Sequence, residues 1–427
     1  MQADLLVQNI GQLVRVASAD GLRVGQQAMN ELAILEKGSV AVRDGRIAWL
    51  GASKDSATDV TAEETVDAEG RCVVPGFVDS HTHLMYAGSR VEEFAKRVGG
   101  ASYLEIMAAG GGIMSTVRAT RAAGPSQLLR EAAARLDRML SHGTTTSEVK
   151  TGYGLSVEGE LRLLSLILEL DKVHPIDLVP TFMGAHAVPE EYAGREDAYV
   201  DLVVTEMLPA VAEHAEAAGR SIFCDVFCDD GAFSLEQSRR VLEAASALGL
   251  GLKIHADEFS SLGASELAAE LGATSADHLV RTPAAEWGAL ARAGTVAVLL
   301  PGTTFGLGHV EFAPGRAMID HGLSVALATD LNPGTAWCEA LPFIQALACR
   351  YLSMAPAEAL VASTIHAAHA IGLGEAVGSL EVGKLADFLI LEAQDYREIS
   401  YRFGTNPVDR VFKRGELVWS ADRAARR

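Results

Sequence analysis

One pattern recurs eight times through the middle of this chain: a short apolar, strand-like run followed by a helix-like segment. Nothing else in the sequence restricts the fold as much, because strands that alternate with helices lie parallel in one sheet. The first run ends at Leu84, and the others fall at residues 143–150, 177–186, 221–227, 251–257, 274–280, 295–300 and 323–330. Helix signals punctuate the intervals. Ser234 precedes Gln237 at capping-box spacing, Thr282-Pro283 opens another helix and Gly294 closes it. Eight such pairs predict an α/β chain closed into a (β/α)8 TIM barrel, in which reactive groups gather at the carboxyl ends of the strands.

The two chain ends read differently. Before residue 70 the pattern is short β-branched strands broken by turns, with Asp44-Gly45 as a hairpin turn between Ser39-Val40-Ala41-Val42-Arg43 and Arg46-Ile47-Ala48-Trp49-Leu50. Residues 385–391 and 411–419 have the same character. A small β-sandwich domain built from residues 1–70 and 376–427 is therefore expected around a barrel of residues 71–375. A chain of 427 residues, 49% of them hydrophobic, has enough apolar surface for both.

A formal charge of −20 argues against nucleic acid or an anionic membrane surface as partner. Cys72, Cys224, Cys228, Cys338 and Cys349 form an odd set without repeated spacing, which supports neither a disulfide framework nor a thiolate zinc site and fits a reducing cytoplasm. The opening Met1-Gln2-Ala3-Asp4 lacks the basic start of a signal peptide, and no apolar run nears membrane-spanning length.

His81 and His83 end the apolar run Val73-Val74-Pro75-Gly76-Phe77-Val78-Asp79. Two residues apart in an extended chain, their imidazoles point to one side. Alone, such a pair suits an ordinary strand end as well as a metal. His255 at the end of the fifth run and Asp330 at the end of the eighth favour the metal: three imidazoles and one carboxylate make a mononuclear site of zinc or iron type with room for water. His278 ends the sixth run. The segment from 87 to about 126, with Gly99-Gly100 and Gly110-Gly111-Gly112, is long for one connection and reads as a lid or binding loop. His142, His174, His214, His309, His321, His366 and His369 lack such a context and read as structural or exposed.

This order of residues, with Pro75-Gly76-Phe77-Val78-Asp79 ahead of the histidine pair, resembles the amidohydrolase superfamily over the whole chain. Residues 378–387 look like its return strand. Binuclear members carry a strand-four lysine that becomes carboxylated between two metals, and residues 221–227 hold none. The resemblance thus implies one divalent or trivalent metal ion per subunit, zinc first and iron second, on His81, His83, His255 and Asp330. Four segments are similar to the superfamily members that open an imidazolone ring in histidine breakdown. They are Ser147-Glu148-Val149-Lys150-Thr151-Gly152-Tyr153-Gly154-Leu155, Phe182-Met183-Gly184-Ala185-His186-Ala187-Val188-Pro189, His255-Ala256-Asp257-Glu258-Phe259, and Ala328-Thr329-Asp330-Leu331-Asn332-Pro333-Gly334-Thr335.

The implied reaction adds water to the ring carbonyl of a small-molecule substrate, 4-imidazolone-5-propanoate, and cleaves the carbonyl-to-nitrogen bond to give N-formimino-L-glutamate. Asp330 is then the base, a protonated or hydrogen-bonding His278 offsets charge on the carbonyl oxygen, and Glu258 shuttles a proton to the leaving nitrogen. By the same resemblance Arg90, Tyr153, His186 and Glu258 contact the substrate, while Asn332, Gly334 and Thr335 line the pocket and hold the product. The planar guanidinium of Arg90 suits either the propanoate carboxylate or the ring oxygen. Tyr103 is a further candidate from the glycine-rich segment, and Lys150 stands at a strand end with no assigned role. A homodimer is implied as well. One competing reading is a single-metal aminohydrolase releasing ammonia from a nucleobase-like or triazine ring; another is a silent relative kept for binding, which would be expected to have lost a ligand.

Overall fold

The computed structural model describes residues 1–17, 22, 24–100 and 110–424. Strand β1 (Gln2–Val14) runs antiparallel to β2 (Ile34–Arg43), which turns through Asp44 and Gly45 into β3 (Arg46–Ala52). Both turn residues have positive φ, 52° and 71°, the mirror-image turn that matches strand twist. On its other edge β1 pairs in parallel with β4 (Thr61–Asp67) and β5 (Cys72–Pro75). The C-terminal strands β14 (Phe388–Leu391), β15 (Val408–Lys413) and β16 (Glu416–Ser420) continue the same sheet through a β5–β14 ladder. The two chain ends thus share one branched eight-stranded sheet. It closes on a core that includes Leu5, Ile10, Leu13, Val40, Phe388 and Phe412, the last two rings stacked 4.6 Å apart.

The second sheet is the barrel. Strands β6 (Phe77–Asp79), β7 (Thr144–Lys150), β8 (Asp177–Ala185), β9 (Phe223–Cys228), β10 (Gly251–Ala256), β11 (Ser275–His278), β12 (Val296–Leu299) and β13 (Val325–Leu327) pair in chain order, all parallel. Closure comes from a bridge between Thr82 and Leu331, flanked by Asp330 N donating to His81 O at 3.0 Å and His83 N donating to Leu331 O at 2.9 Å. The barrel seam therefore includes His81, His83 and Asp330, three of the residues that the sequence marks as ligands.

Three expectations are corrected, and the long connection gains detail. The run from Val73 to Leu84 is not one strand. Residues up to Pro75 belong to the terminal sheet and those from Phe77 to the barrel, because Gly76 N donates to Asp387 O at 2.9 Å and a Cβ at 76 would lie 2.3 Å from Thr145 Oγ1. The long connection after Ala87 holds helices, Val91–Val98 and Ile113–Ala122, separated by the glycines; Tyr103 lies outside the described residues. Residues 378–387 form turns rather than a strand, since Gly378 and Gly383 take φ of 87° and 96° and Lys384 Nζ ties back to Gly374 O at 2.6 Å. Helix Ala284–Ala293 does end at left-handed Gly294, but Thr282 Oγ1 donates to Asp257 Oδ2 at 2.8 Å instead of capping it. The capping box of Ser234 and Gln237 forms as expected. Among the described residues no helix is long and apolar enough to cross a membrane.

Candidate metal centre

His81 and His83 leave the end of β6 on either side of Thr82, His255 lies on β10, and Asp330 follows β13 in the left-handed conformation with φ of 53°. Their donor atoms converge. His81 Nε2 and His255 Nε2 each stand 3.3 Å from His83 Nε2, while Asp330 Oδ1 is 3.4 Å from His81 Nε2 and 3.6 Å from His83 Nε2. A tetrahedron of nitrogen ligands about 2.0–2.1 Å from a zinc ion has edges of about 3.3 Å, so these spacings fit one ion. His278 joins the group, with His81 and Asp330, within 4.8 Å.

The protonation pattern fits too. His81 Nδ1 donates to Asp277 Oδ2 at 2.6 Å and His255 Nδ1 donates to Asp225 Oδ1 at 3.0 Å. With Nδ1 holding the proton, each Nε2 carries a bare lone pair toward the common point, the arrangement a metal ligand needs. Burial first, then the charge of Lys150 and the neighbouring imidazoles, hold His81 well below its usual range, and burial and its histidine neighbours do the same to His83 and His278. Burial lifts the Asp330 carboxyl to about 6 in spite of a donated hydrogen bond from Thr303 Oγ1. These are neutral imidazoles around one acidic group, and they fit a single divalent cation.

Around the centre stand the remaining sequence-marked residues. Tyr153 is buried, its ring 6.2 Å from that of His83 and 5.3 Å from that of His186. His186 stacks on His83 at 4.9 Å and donates from Nδ1 to Gly152 O at 3.0 Å. Glu258 Oε2 is 3.5 Å from His278 Nε2, and burial, Asp330 and Asp229 together raise its carboxyl well above the usual range. Glu258, His278 and Thr303 line a small cavity of about 50 Å³. Arg90 Nε donates to Glu93 Oε2 at 2.9 Å, and its Nη1 lies 2.2 Å from where a Cβ at Gly334 would stand. Arg90, Gly334 and Thr335 form one wall of a second cleft of about 470 Å³, which shares no lining residue with the small cavity. Asn332 braces that wall. Its Nδ2 donates to Asp330 O at 2.7 Å, and its Oδ1 accepts from the Gly334 and Thr335 amides, both at 2.8 Å.

Comparison with known proteins settles the family. Residues 72–418 match the amidohydrolase family. The chain is 53% identical to the imidazolonepropionase of Herpetosiphon aurantiacus over 97% of both chains, and 52% identical to that of Symbiobacterium thermophilum over 99% of both. The chain belongs to the amidohydrolase family, among the imidazolonepropionases. Solved amidohydrolase-fold structures similar to it include an adenosine deaminase from Xanthomonas campestris with bound zinc (TM-score 0.71, 19% identity, 97% of this chain and 93% of that one) and the E. coli guanine deaminase (0.72, 18%, 97% and 98%). At that identity they support the fold of this imidazolonepropionase relative and nothing more.

Several residues of the imidazolonepropionase site went unmarked in the sequence. Asp225 and Asp277 orient His255 and His81, and Asp79 accepts from Thr329 N at 3.0 Å and Thr329 Oγ1 at 2.6 Å, fixing the turn that presents Asp330. Glu160 accepts from the backbone of Gly152, Gly154 and Leu155 at 2.9, 2.8 and 2.7 Å, and so shapes the loop that carries Tyr153 and holds His186. Asp79 and Asp225 carried a signal, an acidic residue inside an otherwise apolar stretch, where a charge is buried only if it is paired or hydrogen-bonded; Asp277 and Glu160, with polar neighbours, carried none.

Proposed function

We propose that this chain hydrolyses the ring carbonyl-to-nitrogen bond of 4-imidazolone-5-propanoate to N-formimino-L-glutamate, using one metal ion held by His81, His83, His255 and Asp330. The observation that carries this reading is 53% identity over 97% of the chain to a protein named imidazolonepropionase, because the deaminases share the fold at only 18–19%. Zinc is the proposed ion and iron the second choice, since a site of three nitrogens and a carboxylate accepts both. Held by these four residues, a divalent cation would supply a nucleophilic water at neutral pH and would draw charge from the carbonyl oxygen.

The residues divide the proton work. Asp330 accepts the proton of the attacking water as the carbon-oxygen bond forms. His278, which burial keeps uncharged, offsets the growing oxyanion by hydrogen bonding rather than as an imidazolium. When the carbon-nitrogen bond breaks, its electron pair stays on the ring nitrogen and takes a proton from Glu258, held in its acid form by burial and by Asp330. Arg90 binds the propanoate carboxylate through its planar fork, and Tyr153 and His186 wall the ring. Five free cysteines support a cytoplasmic setting, and a charge of −20 argues against nucleic acid or an anionic membrane surface as partner.

Incubating the metal-analysed protein with 4-imidazolone-5-propanoate should abolish the ultraviolet absorbance of the ring and yield N-formimino-L-glutamate without ammonia. Ammonia release from a purine or triazine, with the imidazolone untouched, would hand the case to the aminohydrolase reading. A second expectation concerns Gly334. Its φ is not left-handed, so Gly334→Ala acts only by pushing Arg90 away. KM should rise by about tenfold, the loss of roughly one charge-assisted hydrogen bond, with zinc content unchanged; unaltered KM would remove Arg90 from the substrate site.

A further inference from the structure

Lys150 is fully buried at the end of β7, and the chemistry assigned above does not use it. Its Nζ donates at 2.6 Å to Glu148 Oε1 and at 2.6 Å to Asp225 Oδ2, and lies 3.8 Å from Asp277 Oδ2. Each of these carboxylates continues to a different part of the metal centre. Asp225 Oδ1 receives the Nδ1 proton of His255 at 3.0 Å, Asp277 Oδ2 receives that of His81 at 2.6 Å, and Glu148 Oε2 accepts at 3.2 Å from the amide of Thr82, the residue between His81 and His83. The Lys150 backbone also donates to Thr82 O at 2.9 Å.

We propose that Lys150 is a positioning residue for the metal centre, its ammonium anchoring Asp225 and Glu148, whose other oxygens aim His255 and seat the His81-Thr82-His83 backbone, and lying near enough to Asp277 to offset charge on the oxygen that aims His81. Three carboxylates this close repel one another unless a cation lies among them, and burial makes that repulsion strong. Lys253 stands 3.8 Å from Asp277 Oδ2 but spends its donors on Ser80 O at 3.3 Å and Ala370 O at 3.1 Å, so it cannot replace Lys150 at Asp225 or Glu148. Remove the ammonium, and Asp225 and Glu148 lose the anchor that sets their distance from His255 and the Thr82 amide, while Asp277 keeps Lys253 at 3.8 Å and Ser275 Oγ at 2.6 Å. Outer partners of ligating histidines control metal affinity by about 10–100-fold.

The inference rests on reading His81, His83, His255 and Asp330 as metal ligands, and the test separates the two. Whole-chain wild type, Lys150→Met, and Lys150→Met combined with Glu148→Gln, which preserves the net charge of the cluster, are compared by chelator competition for zinc. The rise in melting temperature from metal-free to zinc-loaded protein is recorded for each. Folded variants should bind zinc about 10–100-fold more weakly and show a smaller zinc-induced rise. A lysine that merely supports the fold would lower both melting points together and leave the rise and the dissociation constant unchanged; that result in either folded variant overturns the proposal. Wild type that binds no zinc or iron overturns the metal reading, and this inference with it. Should neither variant fold, wild type with heavy-nitrogen-labelled lysine side chains decides. The buried ammonium resonances should shift on zinc loading, and resonances that stay in place overturn the proposal.

Discussion

Replacing His255 by alanine is expected to leave a folded barrel that no longer retains a metal ion and turns over substrate at least about 10⁴-fold more slowly, because unassisted water is scarcely ionised at neutral pH. The side chain faces the centre from β10, while its neighbours Ile254 and Ala256 point the other way into the core, so its loss opens space in the pocket and leaves the packing of the barrel wall. His255 Nε2 is 3.3 Å from His83 Nε2, and its Nδ1 and backbone amide both rest on Asp225 Oδ1, at 3.0 and 3.2 Å. Truncation removes a ligand and leaves Asp225 held by Lys150 and the backbone amide of residue 255, with no imidazole to aim at the centre. Metal analysis, circular dichroism and kcat/KM, read on one preparation, test it. A variant that keeps a full equivalent of zinc with unchanged turnover would take His255 out of the ligand set.

The barrel was legible in the sequence because period and punctuation agree along its length. The fifth run was read as 251–257 and forms Gly251–Ala256, and the third was read as 177–186 and forms Asp177–Ala185. The eighth run shrinks to Val325–Leu327 for a functional reason. Thr329 turns to bond Asp79, and Asp330 adopts positive φ to reach the histidines. Nothing local announced the break at Gly76, since the runs on both sides are apolar and fully buried; only distant partners, Asp387 and Thr145, send them to different sheets. The ligands could be found from chemistry at strand ends. The layer behind them could be read only in part, because Asp225 inside Phe223–Cys228 signals a paired buried charge while its partner, Lys150, lies two strands away.

Asp330→Asn separates catalysis from stability and should move them in opposite directions. The substitution keeps the shape of the side chain and one acceptor oxygen for Thr303, yet it removes the group assigned to take the proton from water. Turnover should fall by about 10²–10⁴-fold, the usual worth of a positioned base, with a further loss wherever the weaker amide ligand loosens the ion. In the metal-free protein the sign reverses. Asp330 is 3% exposed, and burial raises it to about 6, above its ordinary 3.8. A carboxyl raised on folding costs stability as pH climbs from its unfolded value through its folded one, and above about 6 the whole penalty is present. An amide carries no such penalty, so metal-free Asp330→Asn should melt higher than metal-free wild type at pH 7. Melting curves of both proteins after chelation, alongside kcat for the zinc-loaded forms, test the pair of claims. Full turnover would remove Asp330 from the proton transfer, whereas a large drop in metal-free melting temperature would mean that its charge supports the fold through a partner other than the ion.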